Sequence, residues 1–370
     1  MDLKCIAVVM GGRSPEHAIS LESGRAVLAA LDETRYRGRA VVIGRDGLWS
    51  IFPAGRLPPE GEAAYEGGAP PEKAIGILRD WGVDVAFLAL HGPFGEDGSV
   101  QGFFRILDIP FTASGIRASA VALDKPLSKN LLEATGIRTP RHIVVRKEEW
   151  QAARGVVVRR IVTHAGLPCF VKALRLGSSV GIFRVVDEDD LVVAIDTLLE
   201  TEGAVMAERS VSGREISCGV LGNAGGELTT LPPVEIRPQG ADFFDYRSKY
   251  EPGRADELCP APIDDDTTWN VRAAARAVHE KIGARGFSRS DFILDGGVLW
   301  FLEVNTIPGL TRQSIIPKAA AAAGIGFSAL VTQIIDLAQD TLEPAPASRT
   351  LESPRREDAG GRKPAEGEMG

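Results

Sequence analysis

Two acids and an amide punctuate the stretch SRSDFILDGGVLWFLEVNTIPG (residues 288–309): Asp291, Glu303 and Asn305, with Arg289 two residues before the first acid. The apolar alternation on either side of Gly296-Gly297 is that of a β-hairpin. It puts Ile293 on one face with Asp291, and Leu299 and Phe301 on one face with Glu303 and Asn305. Register decides whether these faces coincide. A two-residue loop at 296–297 sets Asp291 opposite Leu302 and turns Glu303 away. A three-residue loop, 296–298, sets Asp291 opposite Glu303 and Arg289 opposite Asn305. The second register brings two like charges together, and they need a cation between them. Carboxylate and amide oxygens suit Mg²⁺ or Mn²⁺ rather than Zn²⁺. A solvated edge hairpin would carry the same residues facing water, and this stretch alone does not separate the two.

Other stretches carry chemistry of their own. CFVKALRLGSSVGIFRV (169–185) is a strand, a Gly/Ser loop and a strand, with Lys172 at the first strand's end. Backbone N–H groups, hydroxyls and a lysine charge together fit a phosphate, although a surface hairpin looks alike. It is not a Walker loop, because no Gly-Lys-Ser/Thr opens a helix. VMAERSVSGREIS (205–217) ends one strand at Glu208 and starts another at Glu215. Those acids are either ordinary surface carboxylates or acceptors for an adenine amino group and ribose hydroxyls. FFDYRSKY (243–250) supplies Lys249 and Tyr250 in a polar-aromatic loop. Near the start, GGRSPEH lacks the GxGxxG of a dinucleotide site, which disfavours a nicotinamide dehydrogenase. Its Glu16 sits in the first turn of a helix, where the dipole alone favours a carboxylate. His91 follows the strand at 83–90, at the carboxyl end where open α/β sheets bind ligands.

Three units have to position these residues. At 370 residues the chain accommodates about two or three domains. Its net charge of −8 leaves no nucleic-acid footprint. Four widely spaced cysteines, with no CxxC, read as reduced thiols of a cytoplasmic protein. The opening apolar run CIAVVM is too short for a signal peptide or a membrane span, and no other run is longer. Residues 1–123 alternate strands (4–10, 37–44, 83–90) with helices (15–31, 100–107), the pattern of a doubly wound parallel sheet, with Ser14 and Pro15 expected to open the first helix. An irregular insertion spans 53–73. Residues 124–210 turn to short strands and Gly-rich turns, an antiparallel sheet with helices on one side. Residues 211–341 hold the hairpin and close on two apolar helices.

In order along the chain, GGRSPEHAISLESG, LHGPFGEDGSVQG, GSSVG, DYRSKY and EVNTIPGLTRQSIIP resemble the D-alanine–D-alanine ligase family of the ATP-grasp superfamily, over residues 4 to about 338. The resemblance implies an ATP-grasp fold: an N-terminal Rossmann-like parallel-sheet domain and two α+β domains sandwiching ATP. It also implies a reaction in which ATP phosphorylates the carboxylate of one D-alanine and the amine of a second attacks the acyl phosphate, for peptidoglycan precursor synthesis. Asp291, Glu303 and Asn305 then become ligands of two Mg²⁺ or Mn²⁺ ions, with Glu303 bridging. Arg289 and the Gly309 N–H face the developing oxyanion. Lys125, Lys172, Ser179 and Lys249 face the ATP phosphates, and Glu208, Arg209, Val211 and Glu215 its base and ribose.

Glu16 is implied to bind the first substrate's ammonium, with His91 nearby, and Ser314 with Ile315 the second substrate's carboxylate. Ser178 and Tyr250, linked to Glu16, close the site. The chain departs from the family at Ala173, where proline is frequent after the loop lysine. Its Ser-Lys-Tyr at 248–250 favours an amine acceptor over D-lactate. A homodimer is expected as well, and the charge and the short apolar runs point to a cytoplasmic chain that binds neither nucleic acid nor membrane. A ligase for a different D-amino acid, or an ATP-binding relative without catalysis, shares most of these motifs. The Arg289/Asp291/Glu303/Asn305 set argues against the latter.

The stretch from 342 to 370 is rich in proline and charge and has almost nothing apolar to bury, the composition of a disordered tail. Deleting residues 343–370 should therefore leave both turnover and melting temperature unchanged. A drop of several degrees on truncation would show that the tail packs.

Overall fold

A computed structural model describes residues 3–56, 68–177, 181–238 and 255–339. Ser178, Ser179, Lys249, Tyr250, residues 57–67 of the insertion and the tail from 340 onward lie outside the described residues.

The first unit runs β1 (Lys4–Gly11), α1 (His17–Ala30), β2 (Tyr36–Ile43), β3 (Trp49–Ile51), α2 (Pro71–Asp80), β4 (Val85–Leu88) and α3 (Ser99–Ile106). Its sheet has the order β3-β2-β1-β4. β1 lies parallel to both neighbours and is buried on both faces, as its unbroken run of apolar residues requires. Two expectations need correcting. The first helix begins at His17, not Pro15, and Glu16 occupies its cap position with no side-chain cap bond. Ser14 Oγ accepts from the Glu16 N–H at 3.0 Å, two residues on, so it closes a turn ahead of the helix instead of capping it. The insertion is regular from residue 69: Ala69 bridges to Trp49, and Pro71 opens α2.

Next come α4 (Ile116–Leu123), α5 (Lys125–Glu133), β5 (His142–Arg146), α6 (Lys147–His164), β6 (Cys169–Ala173), β7 (Ile182–Val185), α7 (Glu188–Leu199) and β8 (Ala204–Arg209). The four strands form an antiparallel sheet in the order β5-β8-β6-β7. α6 and α7 cover one face through Trp150, Ile161, Leu191 and Ile195, which meet Val171 and Val205. Strand alternation turns Phe170, Lys172, Met206 and Glu208 to the other face. α4 and α5 do not join this core; they pack on the third unit.

The third unit comprises β9 (Arg214–Gly222), β10 (Leu228–Thr230), β11 (Val234–Pro238), β12 (Ala255–Leu258), α8 (Asp265–Ile282), β13 (Phe287–Asp295), β14 (Val298–Asn305), α9 (Ile315–Ala322) and α10 (Phe327–Gln339). Its sheet has the order β12-β11-β9-β13-β14, with β10 on β9. α8 lines one face with Val271, Ala275 and Val278. On the other, α9 sits so close over Gly219 that a Cβ there would lie 2.5 Å from the Ile316 side chain. α9 and α10 together are apolar enough to raise the question of a membrane. They bend by 106°, however, and bury against the first unit's core, and no single described helix is long and apolar enough to cross.

His279 of α8 joins two strands: its Nδ1 lies 2.7 Å from Ser288 Oγ and its Nε2 3.2 Å from the Gly222 carbonyl oxygen. Burial holds its pKa down at about 4, so the folded protein keeps it neutral. The unfolded chain takes up that proton below about 6.5 and the folded one does not, so stability is complete above 6.5 and falls toward pH 4. The loss from this group should reach roughly 3 kcal/mol. Denaturant titrations at pH 7 and pH 4.5 should show a shallower loss for His279→Asn than for wild type. Equal losses would place the acid sensitivity elsewhere.

Candidate active site

The hairpin reaches the useful register by a route the alternation did not reveal. Gly296 and Gly297, with φ of 53° and 85°, form a two-residue turn and pair Asp295 with Val298, which corrects the three-residue loop. Pairing continues to Phe292 opposite Phe301, and then the ladder shifts. Asp291 pairs with Glu303 and Arg289 with Asn305, which leaves Leu302 as the extra residue of a β-bulge. The bulge also separates residues expected on one face. Leu299 and Phe301 turn toward α8, where Phe301 meets Phe292 edge-on at 6.0 Å between centroids. Glu303 and Asn305 turn to the opposite side. A slip by one residue would expose Phe301 and bury the Glu303 charge, so apolar burial pins the acids in place.

Asp291 is 4% exposed and fully engaged. Arg289 holds it bidentately, Nε to Oδ1 at 2.9 Å and Nη2 to Oδ2 at 2.7 Å. Ser217 Oγ, from the neighbouring strand, donates to Oδ1 at 2.6 Å, and Asn305 Nδ2 donates to Oδ2 at 3.3 Å. Glu303 faces Lys125, whose Nζ is 3.4 Å from Oε2 and also donates to the Leu176 carbonyl at 2.7 Å. The two acids thus sit side by side, each beside a cation. Their donor set, two carboxylates and an amide oxygen, fits a hard divalent ion. Lys125 opens α5, which Asp124 caps by accepting from the Leu127 N–H. The segment before the Gly/Ser loop docks there too: the Lys125 N–H donates to Leu174 O, and the Arg175 side chain donates from Nε to Asp124 Oδ2.

Glu16 lies between two glycines. A Cβ on Gly92 would come within 2.5 Å of Glu16 Oε2, and one on Gly177 within 2.8 Å. The carboxylate therefore touches both the turn after β4 and the start of the Gly/Ser loop. His91 is tethered away from solvent, with Nδ1 2.9 Å from Ile307 O and Nε2 3.1 Å from Ser23 Oγ; burial lowers its pKa and keeps it neutral. Beside them Glu96, unassigned by any motif, accepts from the N–H groups of Gly92 at 2.9 Å and Ile307 at 3.0 Å. Burial, aided by the Glu16 charge, pushes its carboxyl up to about 8. It links the first unit to the loop leaving the hairpin.

Lys172 and Glu208 meet on the face of the central sheet away from α6 and α7 as a buried ion pair, and a second lysine, Lys129 of α5, joins the same carboxylate. Burial alone would raise Glu208, but the two ammonium charges outweigh it and hold the carboxyl at about 2. Arg209 and Val211 follow on the way to β9, where Glu215 and Ser217 alternate onto the face of Asp291. Gly309 lies against Ser314, whose Oγ a Cβ would approach to 2.9 Å, and Ser314 and Ile315 form the N-terminus of α9. That terminus suits a carboxylate. Three predicted residues of this group, Ser178, Ser179 and Lys249, and the predicted Tyr250 fall outside the described residues. Lys129 was legible only as a lysine four positions after Lys125, on the same helical stripe.

Residues 5–114 match the family model described as D-ala D-ala ligase N-terminus, and residues 131–336 the one described as D-ala D-ala ligase C-terminus. The D-alanine–D-alanine ligase of Thermoanaerobacter sp. (strain X514) is 35% identical over 356 residues, covering 92% of this chain and 98% of its own length. Among solved structures, the VanG D-Ala:D-Ser ligase from Enterococcus faecalis superposes with a TM-score of 0.75 at 30% identity, over 91% of this chain and 100% of the other. The D-alanine–D-alanine ligase from Bacillus anthracis, complexed with ATP, gives 0.71 at 29% identity, over 91% and 98%. With both halves of the chain matched and full-length relatives above 30% identity, this chain belongs to the D-alanine–D-alanine ligase family.

Proposed function

We propose that the chain joins two D-alanine molecules into D-alanyl-D-alanine, by way of D-alanyl phosphate, with release of ADP and phosphate, to supply a peptidoglycan precursor. The observation that carries this reading is the pairing of Asp291 with Glu303 and Arg289 with Asn305 on one face, beside Lys125. A carboxylate is a poor electrophile, and phosphorylation gives its carbon a leaving group. Asp291, Glu303 and Asn305 would hold two Mg²⁺ or Mn²⁺ ions, which when bound would offset negative charge between nucleotide and carboxylate.

The chain's own groups do the rest. Arg289, aimed by its bidentate grip on Asp291, stabilises charge on the acyl phosphate and then on the tetrahedral oxyanion, with the Gly309 N–H as a second donor. Lys125, Lys172, Ser179 and Lys249 hold the phosphates. Glu208, Glu215 and the main chain near Arg209 and Val211 hold base and ribose. Glu16 receives the first substrate's ammonium, close to His91. Ser314 and Ile315 receive the second substrate's carboxylate at the helix end. Ser178 and Tyr250 complete the closure over Glu16, which keeps water from the acyl phosphate. A second acceptor reading, D-serine, is supported by the likeness to the VanG D-Ala:D-Ser ligase. A homodimer is an accompanying proposal that rests on the family resemblance, and a cytoplasmic location is one that rests on the widely spaced cysteines.

Phosphate release from ATP should require Mg²⁺ or Mn²⁺ and D-alanine, with product mass identifying D-alanyl-D-alanine. L-alanine should not substitute, and equal turnover with it would overturn the substrate assignment. Glu303→Gln should abolish metal-dependent turnover with the fold intact. Arg289→Ala should spare nucleotide binding and cut turnover by about a hundredfold or more. Wild-type behaviour of both variants would remove the hairpin from the reaction.

A further inference from the structure

Glu208 is 1% exposed and has two ammonium partners that are held in different ways. Lys129 is fully buried on α5. Its Nζ lies 2.5 Å from Glu208 Oε1 and donates to the Phe301 carbonyl at 3.1 Å, a second anchor beside the carboxylate. It is fixed from several directions. Lys172 stands next to the end of β6, on the strand that leads toward the Gly/Ser loop, and its side chain is 11% exposed. A flexible four-carbon stem gives it a way out.

This asymmetry matters if Lys172 is to serve a phosphate. It cannot pair with Glu208 and a nucleotide phosphate at full strength at once. Withdrawing the sole partner of a buried carboxylate is strongly unfavourable. We propose that Lys129 is the permanent counter-ion of Glu208, a positioning residue that keeps the carboxylate charged and aimed while Lys172 transfers to the phosphates and the exocyclic amine of adenine takes the vacated Oε2. The inference rests on the assignment of Glu208 to the base and Lys172 to the phosphates. No covalent bond changes; one ammonium leaves a carboxylate oxygen and one amine N–H replaces it. Through the Phe301 carbonyl, two residues before Glu303, the same lysine ties the base site of the central sheet to the hairpin of the third unit. Lys129 thus sets where the base end of the nucleotide lies relative to Asp291 and Glu303.

The test is a cycle of Lys129→Met, Glu208→Gln and the double variant in the full chain, measuring KM for ATP, kcat and the preference for ATP over GTP. Lys129→Met should raise KM for ATP about tenfold or more and erode the ATP preference, with kcat at saturating ATP within about threefold of wild type. In the Glu208→Gln background it should add less than about twofold, because Lys129 acts through Glu208. An unchanged KM and base preference in Lys129→Met, or fully multiplicative effects in the double variant, would overturn the proposal. Wild-type KM and base preference in Glu208→Gln alone would instead overturn the assignment beneath it. Should Lys129→Met not fold, a crystal structure of the wild-type chain with ADP decides. Lys129 still on Glu208 with Lys172 on a phosphate supports the exchange, and Lys172 still on Glu208 refutes it.

Discussion

One surplus residue in β14 lets a single strand satisfy two incompatible demands. Below the bulge at Leu302, Phe301 has to face α8 with Phe292; above it, Glu303 has to face Asp291. Strict alternation would give both residues the same side. Because the aromatic pair is buried, the strand cannot slide to relieve the mismatch, and the acids inherit their position from apolar packing. The remaining site is built outward from that point. Arg289 and Asn305 take the next rung, Ser217 braces Asp291 from β9, and the loop beyond Asn305 carries Ile307 to Glu96 and His91.

Charge compensation decides how the three units come together around the hairpin. Three acids of the site each meet a cation or N–H donors from a different element. Glu303 meets Lys125 of α5, Glu208 meets Lys129 and Lys172, and Glu96 meets the backbone of Gly92 and Ile307. Such pairs add little net stability when weighed against well-packed apolar groups, but each is costly to break from one side. They therefore serve geometry more than stability. A substrate that replaces one partner, such as a phosphate drawing Lys172 from Glu208, changes the charge balance at a joint between units.

Much of this is legible in the residues alone. The parallel pairing of β1 with β2 and β4 followed from the apolar run at 4–10 and the alternation of strand and helix, whereas the edge strand β3 departs from it by pairing antiparallel with β2, and the five motifs in order marked the family. The hairpin's two-residue loop and its bulge were not legible, for a physical reason. Period-two alternation carries no mark of a bulge, and parity alone put Phe301 with Glu303. Glu96 and Lys129 escaped for a related reason: a buried charge looks like a surface charge until the partner that buries it is known. Lys129 is buried only because α5 packs on β14 and α8, a tertiary choice that no local pattern encodes. Helix α8, by contrast, carries legible boundaries: Asp264 caps it, acids fill its first turn and Gly283 ends it in the left-handed region.

The central claim is that this face transfers a phosphoryl group to a carboxylate, and isotope tracing tests it without any variant. D-alanine labelled with ¹⁸O in both carboxylate oxygens is supplied with unlabelled ATP, and the phosphate released is weighed. If the carboxylate attacks the γ-phosphorus and the amine then displaces phosphate from the acyl carbon, the bridging oxygen leaves with phosphorus. Each released phosphate should then carry one ¹⁸O, in step with D-alanyl-D-alanine formed. Phosphate free of label while product accumulates would mean that ATP is hydrolysed by water, and would contradict the account.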